Sequence, residues 1–291
     1  MTRKFLSKLA FALVTTVAAV SPAVAADSGF PLDAFPTKKM TEMPALQNGA
    51  KLFVNYCLNC HGASLVRYNR LQDLGLTEDQ IKRNLLFTAD KVGETMRTAM
   101  RPADAREWFG AVPPDLSVIA RARASHAGSG ADWLYTYLRS YYRDTTRATG
   151  WNNALFANVG MPHVLWELQG ARGAVIEEVK EAKDEKTGKA SGFVKTTVTF
   201  DERGVRTEKT EPVADYKGHG EHRFILGKPV GGSMNQAEYD DAIGDLVAYI
   251  TWMSDPTAKT RTRLGVWVLL FLGIFTVIAW RLNAAYWKDV K

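Results

Sequence analysis

The 291-residue chain is poor in cysteine: it has two, Cys57 and Cys60, and both lie in one short motif at residues 57–61. No spare thiol remains for a disulfide elsewhere. The body of the chain also has little net charge, because the overall +6 comes from the two ends and residues 27–258 carry −2. A mildly acidic body does not point to nucleic acid as a partner, whereas basic ends are typical of targeting and membrane segments.

The motif at residues 57–61, Cys-Leu-Asn-Cys-His, has the pattern of a c-type haem attachment site. Two thiols one helical turn apart can add to the two vinyl groups of one haem, and His61 is then placed under the iron as the proximal ligand. The alternatives are a zinc half-site, which would need a second ligand pair, and a thioredoxin-like redox pair. His61 directly after Cys60, together with the secretory context below, argues against both. We therefore predict one covalent haem c.

The first 25 residues have the parts of a secretory signal peptide. A basic start is followed by an apolar run from Leu9 to Val20, and Ala23-Val24-Ala25 fits a small-residue cleavage site. Export also suits the haem motif, because bacteria complete covalent attachment on the periplasmic side. Residues 26–258 are then expected to form a periplasmic haem domain.

The C-terminal end has the pattern of a membrane anchor. Leu264 to Trp280 is a run of 17 apolar residues without a charge, about 25 Å long as a helix, which is near the lower limit for a span. Arginines flank the run, and tryptophans and a tyrosine stand where interfacial belts are expected. We predict a single C-terminal transmembrane helix within residues 259–291, with a short cytoplasmic tail, in the bacterial inner membrane.

The body between these ends is predicted to be mainly α. Leu46 to Asn59 has apolar residues at three- and four-residue spacing and delivers Cys57 to the haem. Asn235 to Glu238 has a capping pattern that opens a second long helix, the natural partner of the first. Residues 171–229 alternate β-branched and charged side chains around a turn at residues 186–189, which predicts a small β-hairpin insertion. We assign no chemistry to that insertion.

Shorter helices are predicted between the long ones. Thr77 to Gln80 matches a capping box, and Arg101-Pro102 is expected to start a helix through Trp108. Asp115 or Ser117, after two rigid prolines, is expected to cap a helix over residues 118–124. Residues 133–142 form an aromatic helix.

The second axial ligand of the iron is the next question. A haem that only carries electrons has both axial positions filled, usually by His and Met. Met161 lies between Gly160 and Pro162, in a tight and stiff loop that can hold a thioether against iron. By position alone Met161 is the first candidate, Met100 and Met234 follow, and His163 is the outsider.

Taken together, these stretches resemble cytochrome c1, the haem subunit of the quinol–cytochrome c reductase (bc1) complex. The match covers most of residues 40–290, and the Pro-Pro-Asp-Leu-Ser…Arg-Ala-Arg block is far more specific than the haem motif alone. The stretches that carry it are the haem motif with Tyr68 seven residues on, Met100-Arg101-Pro102, residues 112–117 with Arg121-Ala122-Arg123, Gly160-Met161-Pro162, and the terminal helix followed by Asp255-Pro256, basic residues and the anchor.

The resemblance implies a role for several side chains. It implies that Met161 is the sixth iron ligand and that Arg123 pairs with a haem propionate, a charge-assisted contact. It also implies that Pro114, Tyr68 and Trp133 line the haem pocket. The insertion at residues 171–229 departs from shorter family members, and the two-cysteine count excludes the extra disulfide of some bacterial members.

The function that the resemblance implies is one-electron transfer. The electron passes from a mobile Rieske iron–sulfur protein, reduced at cytochrome b, through the haem to a periplasmic c-type cytochrome. The chain is then an electron carrier embedded in membrane lipid, and not an enzyme by itself. Three alternatives remain open: a membrane-anchored monohaem cytochrome c of an oxidase or dehydrogenase complex, a haem enzyme or gas sensor with an open sixth site, and an interaction module whose haem is only structural.

Overall fold

The computed structural model describes residues 30–183, 190–214, 216, 218 and 220–288. The predicted signal peptide, residues 1–25, lies outside the described residues. The chain divides into two compact units. The helical unit comprises Ala34–Arg123, Gly160–Ala171 and Pro229–Lys291, and the sheet unit comprises the remaining segments, of which the main ones are Ala124–Val159 and Arg172–Lys228.

The regular elements are numbered in chain order. The helices are α1 (Met43–Leu52), α2 (Glu78–Asn84), α3 (Pro102–Phe109), α4 (Ile119–Ala122), α5 (Gly130–Arg139), α6 (Trp166–Gln169), α7 (Gln236–Ser254) and α8 (Ala258–Tyr286). The strands are β1 (Ala63–Arg67), β2 (Thr95–Met96), β3 (Tyr141–Arg143), β4 (Trp151–Asn153), β5 (Gly170–Ala171), β6 (Ala174–Lys183), β7 (Ala190–Phe200), β8 (Arg206–Val213), β9 (Glu221–Leu226) and β10 (Val230–Gly231).

The core of the helical unit is the crossing of α1 and α7. The two helices meet at Gly49, where a Cβ atom would stand only 2.0 Å from the backbone oxygen of Asp245. A glycine is therefore required for this close approach. Phe53 packs beside the crossing, with its ring 5.5 Å from that of Tyr249. The predicted partnership of the two long helices is confirmed.

Helix α7 begins and packs as its sequence predicts. Its capping box is complete: the Glu238 N–H donates to Asn235 Oδ1 (3.0 Å), and the Asn235 N–H donates to Glu238 Oε2 (2.9 Å). Asp245 is buried on the same helix and is satisfied there, because Lys39 Nζ and Asn48 Nδ2 donate to its carboxylate at 2.6 and 2.8 Å. A buried carboxylate with two such donors avoids most of the cost of desolvation.

Helix α8 follows α7 after three residues. Within it, Thr260–Tyr286 is long and apolar enough to cross a membrane, and its window of highest hydropathy has no residue buried inside the protein. At 1.5 Å per residue these 27 residues extend about 40 Å, more than the roughly 30 Å of hydrocarbon in a bilayer. Arg261 donates two hydrogen bonds to Asp255, at 3.0 and 2.6 Å, and so joins the first turn of α8 to the end of α7.

The sheet unit contains more strand than the sequence predicted. The expected hairpin corresponds to β6 and β7, which pair antiparallel from Ala174↔Phe200 outward. However, β8 pairs with β7 and β9 pairs with β6, so the sheet has four strands in the order β8-β7-β6-β9. A small hairpin is therefore too simple a description. The buried end of the four-stranded sheet is a cluster of Tyr142, Ala174 and Phe200.

Other element boundaries also differ from expectation. The aromatic helix begins and ends three residues early, as α5, because Tyr141 and Tyr142 belong to β3 instead. The capping box of α2 is present as predicted, with Thr77 and Gln80 bonding to each other's backbone N–H. The helix predicted over residues 118–124 is the shorter α4.

Candidate haem site

The Cys57–His61 motif lies at the end of α1 in a tight turn. Regular α-helix stops at Leu52, and Phe53–Cys57 continues as a π-helical turn in which the Leu58 N–H donates to the Phe53 carbonyl (3.0 Å). The N–H groups of Cys60 and His61 then both donate to the Cys57 carbonyl, at 3.1 and 2.8 Å. Such π turns are rare and occur frequently at functional sites. The turn brings two thiols and one imidazole onto a single short segment.

The two thiols are unbonded, and neither environment favours a thiolate. Cys57 is buried and Cys60 is partly buried. Burial, with a smaller contribution from Cys60, raises the pKa of Cys57 to about 12, and burial also raises the pKa of Cys60. Reactive redox pairs have a cysteine with a lowered pKa. The two raised pKa values therefore do not match the thioredoxin-like alternative.

The imidazole of His61 is held by one backbone acceptor. Its Nδ1 lies 2.7 Å from the carbonyl oxygen of Pro114, and the residue is 8% exposed. A carbonyl oxygen only accepts, so Nδ1 carries the proton. Burial lowers the pKa of His61, although the Pro114 hydrogen bond and the nearby Asp115 act in the opposite direction. The neutral ring thus presents an unprotonated Nε2, the tautomer that a metal-binding histidine needs.

The loop that supplies Pro114 is fixed to β1 by side-chain hydrogen bonds. Asp115 accepts from the N–H of Ser64 (2.8 Å) and of Ser117 (2.9 Å), and Ser117 Oγ accepts from the N–H of Leu65 (3.0 Å). Burial opposes ionisation of Asp115, but the hydrogen bonds from Ser117 and Ser64 outweigh it and lower its pKa. The sequence predicted that Asp115 or Ser117 caps α4. Neither side chain does so, because both accept hydrogen bonds from backbone N–H groups of β1.

Gly62, directly after the histidine, lets this loop approach. Its carbonyl accepts from the N–H of Leu116 (2.7 Å). A Cβ on Gly62 would stand 3.2 Å from Asp115 Oδ2, which is tighter than an ordinary contact. The loop is therefore bonded to the His61 ring and to the backbone of the residues that follow it, and these bonds hold the Pro114 carbonyl against the ring.

The methionine candidates for the second axial position differ in their surroundings. Met161, Met100 and Met234 are all half-buried and belong to the helical unit, as His61 does. Met161 lies outside helix and strand, and the loop passes α3 closely enough that a Cβ on Gly160 would stand 3.5 Å from the Phe109 carbonyl.

The next two candidates lie in different settings. Met100 lies two residues before the start of α3, and the Met234 N–H donates to the Leu168 carbonyl (3.1 Å) before α7 begins. His163, the remaining candidate, is 2% exposed. The structure thus brings Met161, Met100 and Met234 into one unit with His61.

The remaining pocket candidates are not all in one unit. Tyr68 is fully buried in the helical unit, where its hydroxyl lies 2.8 Å from Thr88 Oγ1. Arg123 is half-buried at the C-terminal end of α4 in the same unit. Trp133 belongs to α5 of the sheet unit, where its ring is stacked on Tyr137 at 4.8 Å. Of the predicted residues, His61 and Pro114 are in direct contact.

A buried tyrosine–methionine contact beside the motif was missed in the sequence. Tyr249 of α7 donates from its hydroxyl to Met96 Sδ at 3.6 Å, and both residues are fully buried. Burial raises the pKa of Tyr249, with further contributions from Tyr68 and Cys57, so its phenol stays neutral. Tyr249 lies one helical turn after Asp245, on the side of α7 that meets Gly49, and this position could have indicated that Tyr249 is buried beside the motif. No feature of the sequence around Met96 indicates its contact with Tyr249.

Among the residues that the structure describes, no group of three or more His, Cys, Asp or Glu side chains is arranged to hold a metal ion. The described part of the chain therefore lacks the second ligand pair that a zinc site at the motif would require. Two free thiols, one imidazole of the required tautomer and candidate thioether sulfurs in the same unit fit a covalent haem.

Comparison with protein families gives a match over most of the chain. The model of the Cytochrome C1 family matches residues 36–184 and 233–290. The matched residues include the haem motif, the loop at residues 112–117, Met161 and the C-terminal helix. The gap in the match, residues 185–232, covers most of the predicted insertion and contains β7, β8, β9 and β10.

Individual proteins are similar over nearly the whole length. A Nitrosomonas europaea protein named ammonia monooxygenase gamma subunit is 40% identical over 93% of this chain and 94% of its own length. A cytochrome c1 of Allochromatium vinosum is 38% identical over 86% of each chain. A cytochrome c1 of Rhodospirillum rubrum is 27% identical over 86% of this chain and 83% of its own.

Proposed function

The chain belongs to the Cytochrome C1 family, and from this premise we propose how its own residues serve the haem electron-transfer subunit of a bc1 complex. The family carries a covalent c-type haem, and this chain has both cysteines for it. When bound, the haem supplies a one-electron couple. The polypeptide binds, orients and shields that group, and needs no general acid, base or nucleophile.

Cys57, Cys60 and His61 are the covalent and proximal anchors in this proposal. The support is the turn after the π-helical segment, in which the N–H groups of Cys60 and His61 both donate to the Cys57 carbonyl, together with the Pro114 carbonyl that orients the His61 ring. A backbone acceptor on Nδ1 orients the ring and increases the basicity of Nε2. The loop that carries Pro114 is itself held by Asp115. The observation that carries the proposal is therefore the 2.7 Å contact between His61 and Pro114.

Met161 is the second axial ligand in this proposal. Its support is a stiff Gly-Met-Pro loop in the same unit as His61, within the family match. Met96 is a poorer donor, because its sulfur already accepts from Tyr249 and is fully buried. A thioether ligand raises the reduction potential relative to a second imidazole. Met100 and Met234 are the positions to test beside it.

Four other side chains complete the proposed haem environment. Arg123 pairs with a propionate, because a partly buried guanidinium at the end of α4 is suited to a carboxylate. Pro114 and Tyr68 form apolar walls, and the fully buried ring of Tyr68 excludes water on its side. Trp133 is proposed as an aromatic wall from the family resemblance alone.

The proposed electron path runs from a Rieske iron–sulfur protein, reduced at cytochrome b, to a periplasmic c-type cytochrome. Residues 1–25 direct export, residues 26–258 form the periplasmic domain, and α8 anchors it with the C-terminus in the cytoplasm. The length and exposure of Thr260–Tyr286 support the anchor. The signal sequence and the haem motif together support the orientation, because covalent attachment occurs after export.

The test is purification of the intact complex from solubilised membranes, with optical spectra and identification of its subunits. We expect a covalently retained haem with a His/Met spectrum that copurifies with a b-type cytochrome and a Rieske protein. A colourless polypeptide, or a pigment that acid–acetone extracts, would contradict the haem assignment. A haem with other partners would contradict the bc1 assignment alone.

One relative favours a second candidate partner. The protein at 40% identity is named as a subunit of an ammonia monooxygenase, which is a different enzyme from the bc1 complex. A membrane-anchored monohaem cytochrome that serves an oxidase, dehydrogenase or monooxygenase would have the same haem site. Copurification with subunits of such an enzyme, and without cytochrome b, would establish this alternative.

A further inference from the structure

A cavity of about 410 Å³ lies in the helical unit, between β1 and the end of α7. Residues 65–67 of β1 form one wall, and Trp252 and Pro256 form part of the other. None of the proposed haem ligands lines it, so the haem site gives it no role. Its composition and its place beside the membrane anchor indicate what it binds.

The polar part of the wall carries positive charge. Arg67 and Arg70 line the cavity, and among the described residues that line it there is no carboxylate. Arg67 Nη1 donates to the Gly93 carbonyl, and Arg70 Nη2 lies 2.7 Å from Asp73 on its own helical turn. A guanidinium has five N–H donors, so each arginine keeps donors for another anion. Two such groups facing one cavity match a phosphate group.

The rest of the wall is apolar and exposed. Leu65 is 75% exposed and Val118 is 46% exposed, and Trp252 lies beside them, half-buried. A free phosphate ion would make no use of these side chains. A molecule with a phosphate and hydrocarbon chains would contact both halves of the wall, and tryptophan is enriched where such molecules meet water.

The cavity lies close to the membrane anchor. Pro256 lines it, and the uncharged run of α8 begins eight residues later at Leu264. Eight residues extend about 12 Å along a helix, and the headgroup layer on each side of a bilayer is roughly 5–8 Å thick. The bidentate pair between Arg261 and Asp255 fixes the start of α8 to the end of α7. The cavity therefore lies just outside the headgroup layer.

We propose that this cavity binds the phosphate headgroup of one anionic phospholipid on the haem side of the membrane. Arg67 and Arg70 contact the phosphate, and Leu65, Val118 and Trp252 contact the beginning of the acyl chains. The site rests on the membrane anchoring proposed above and is independent of the haem ligand set.

The test uses the detergent-solubilised complex after removal of loosely bound lipid. Mixed micelles that contain phosphatidylglycerol or phosphatidylcholine are added, and the lipid retained per haem is measured by native mass spectrometry. We expect one retained phosphatidylglycerol and no retained phosphatidylcholine. The double variant R67Q/R70Q should bind phosphatidylglycerol at least about tenfold more weakly, because hydrogen bonds to a charged group are lost.

A matched control is Arg83→Gln, since Arg83 is a surface arginine paired with Asp79 on α2. This variant should retain the lipid as the unmodified complex does. Arg67 also bonds to the backbone at Gly93, so Arg70→Gln alone is the variant that leaves that contact intact. Arg70→Gln should weaken binding by a smaller factor, and Arg70→Lys should recover part of it.

Four outcomes would overturn the proposal. The first is that the double variant retains as much phosphatidylglycerol as the unmodified complex, and the second is that millimolar inorganic phosphate displaces the lipid. The third is that the double variant loses a protein subunit while its lipid content is unchanged. The fourth is that salt alone releases the chain from membranes. The haem spectrum and the subunit composition are recorded on the same samples. A failure of the electron-transfer assignment appears in the records of the unmodified complex, whereas a failure of the lipid site leaves the haem spectrum and the subunit composition of the unmodified complex unchanged.

Discussion

Replacing Gly49 with alanine tests the helix crossing that positions the haem motif. A Cβ there would meet the Asp245 carbonyl at 2.0 Å, roughly 1.4 Å short of an ordinary 3.4 Å contact, and the obstacle is backbone that cannot rotate away. Overpacking of this kind costs about 1–3 kcal/mol. Alanine returns about 1 kcal/mol through its better helix propensity. Because the obstacle is rigid backbone, the cost lies at the upper end of that range, and we expect a net loss of about 2 kcal/mol in the free energy of unfolding.

Two other glycines provide graded controls. At Gly244 the nearest atoms, at 2.8 and 2.9 Å, belong to the flexible end of Lys39, so Gly244→Ala should cost less than Gly49→Ala. At Gly93 nothing lies within 4 Å, so Gly93→Ala should be neutral or stabilise by a few tenths of a kcal/mol. The three variants therefore separate the helix crossing from the general effect of replacing glycine.

The assay is urea unfolding of the purified complex, followed through the absorbance of the haem in this subunit. With a slope of about 2 kcal/mol/M, a 2 kcal/mol loss moves the midpoint down by about 1 M. The expected order of midpoints is Gly49→Ala lowest, then Gly244→Ala, then Gly93→Ala. Equal midpoints for Gly49→Ala and Gly93→Ala would show that α1 and α7 do not cross at this residue.

Three further predictions concern the site. Met161→Ala should abolish the His/Met spectrum, lower the reduction potential and allow carbon monoxide to bind the reduced iron. Met100→Leu should change none of these properties. The reverse result would assign the second axial ligand to Met100. The pKa of Asp115 is lowered, so its carboxylate stabilises the fold at pH values above the ordinary carboxyl pKa, and this stabilisation is lost as the pH falls through the lowered pKa. Asp115→Asn should therefore make the stability of the haem site less dependent on pH in the acid range. A pH titration in which the variant loses stability as steeply as the unmodified protein would refute this. Tyr249→Phe should lower the free energy of unfolding by about 1 kcal/mol without changing the haem spectrum, because it removes one buried donor to Met96, and denaturant unfolding with visible spectra measures both.

The sequence predicted what depends on neighbours along the chain. The capping boxes at Thr77 and Asn235 form as predicted, because the residues that make them are three positions apart. The haem motif is likewise local. Its place at the end of a helix followed from the apolar spacing before Cys57, although the change to a π turn at Phe53 did not.

Features that depend on distant residues were not predictable. Asp115 or Ser117 was expected to cap the next helix, but the two side chains bond to Ser64 and Leu65, about fifty residues earlier. A side-chain oxygen in a loop fits either partner, and periodicity does not distinguish them. The pairing of β9 with β6 was not predicted for the same reason, since β7 and β8 lie between them in the sequence.

The outer edge of that sheet affects how the molecule behaves among its neighbours. Strand β8 forms the edge beyond β7, and its residues are almost all exposed. Edges with unpaired backbone groups invite a second sheet to add to them, and Lys and Pro on the edge discourage this. Here Arg206, Glu208 and Lys209 give alternating charge, and Pro212 removes one donor. Where many copies share one membrane, this composition of β8 disfavours the pairing of one copy's sheet edge with another's.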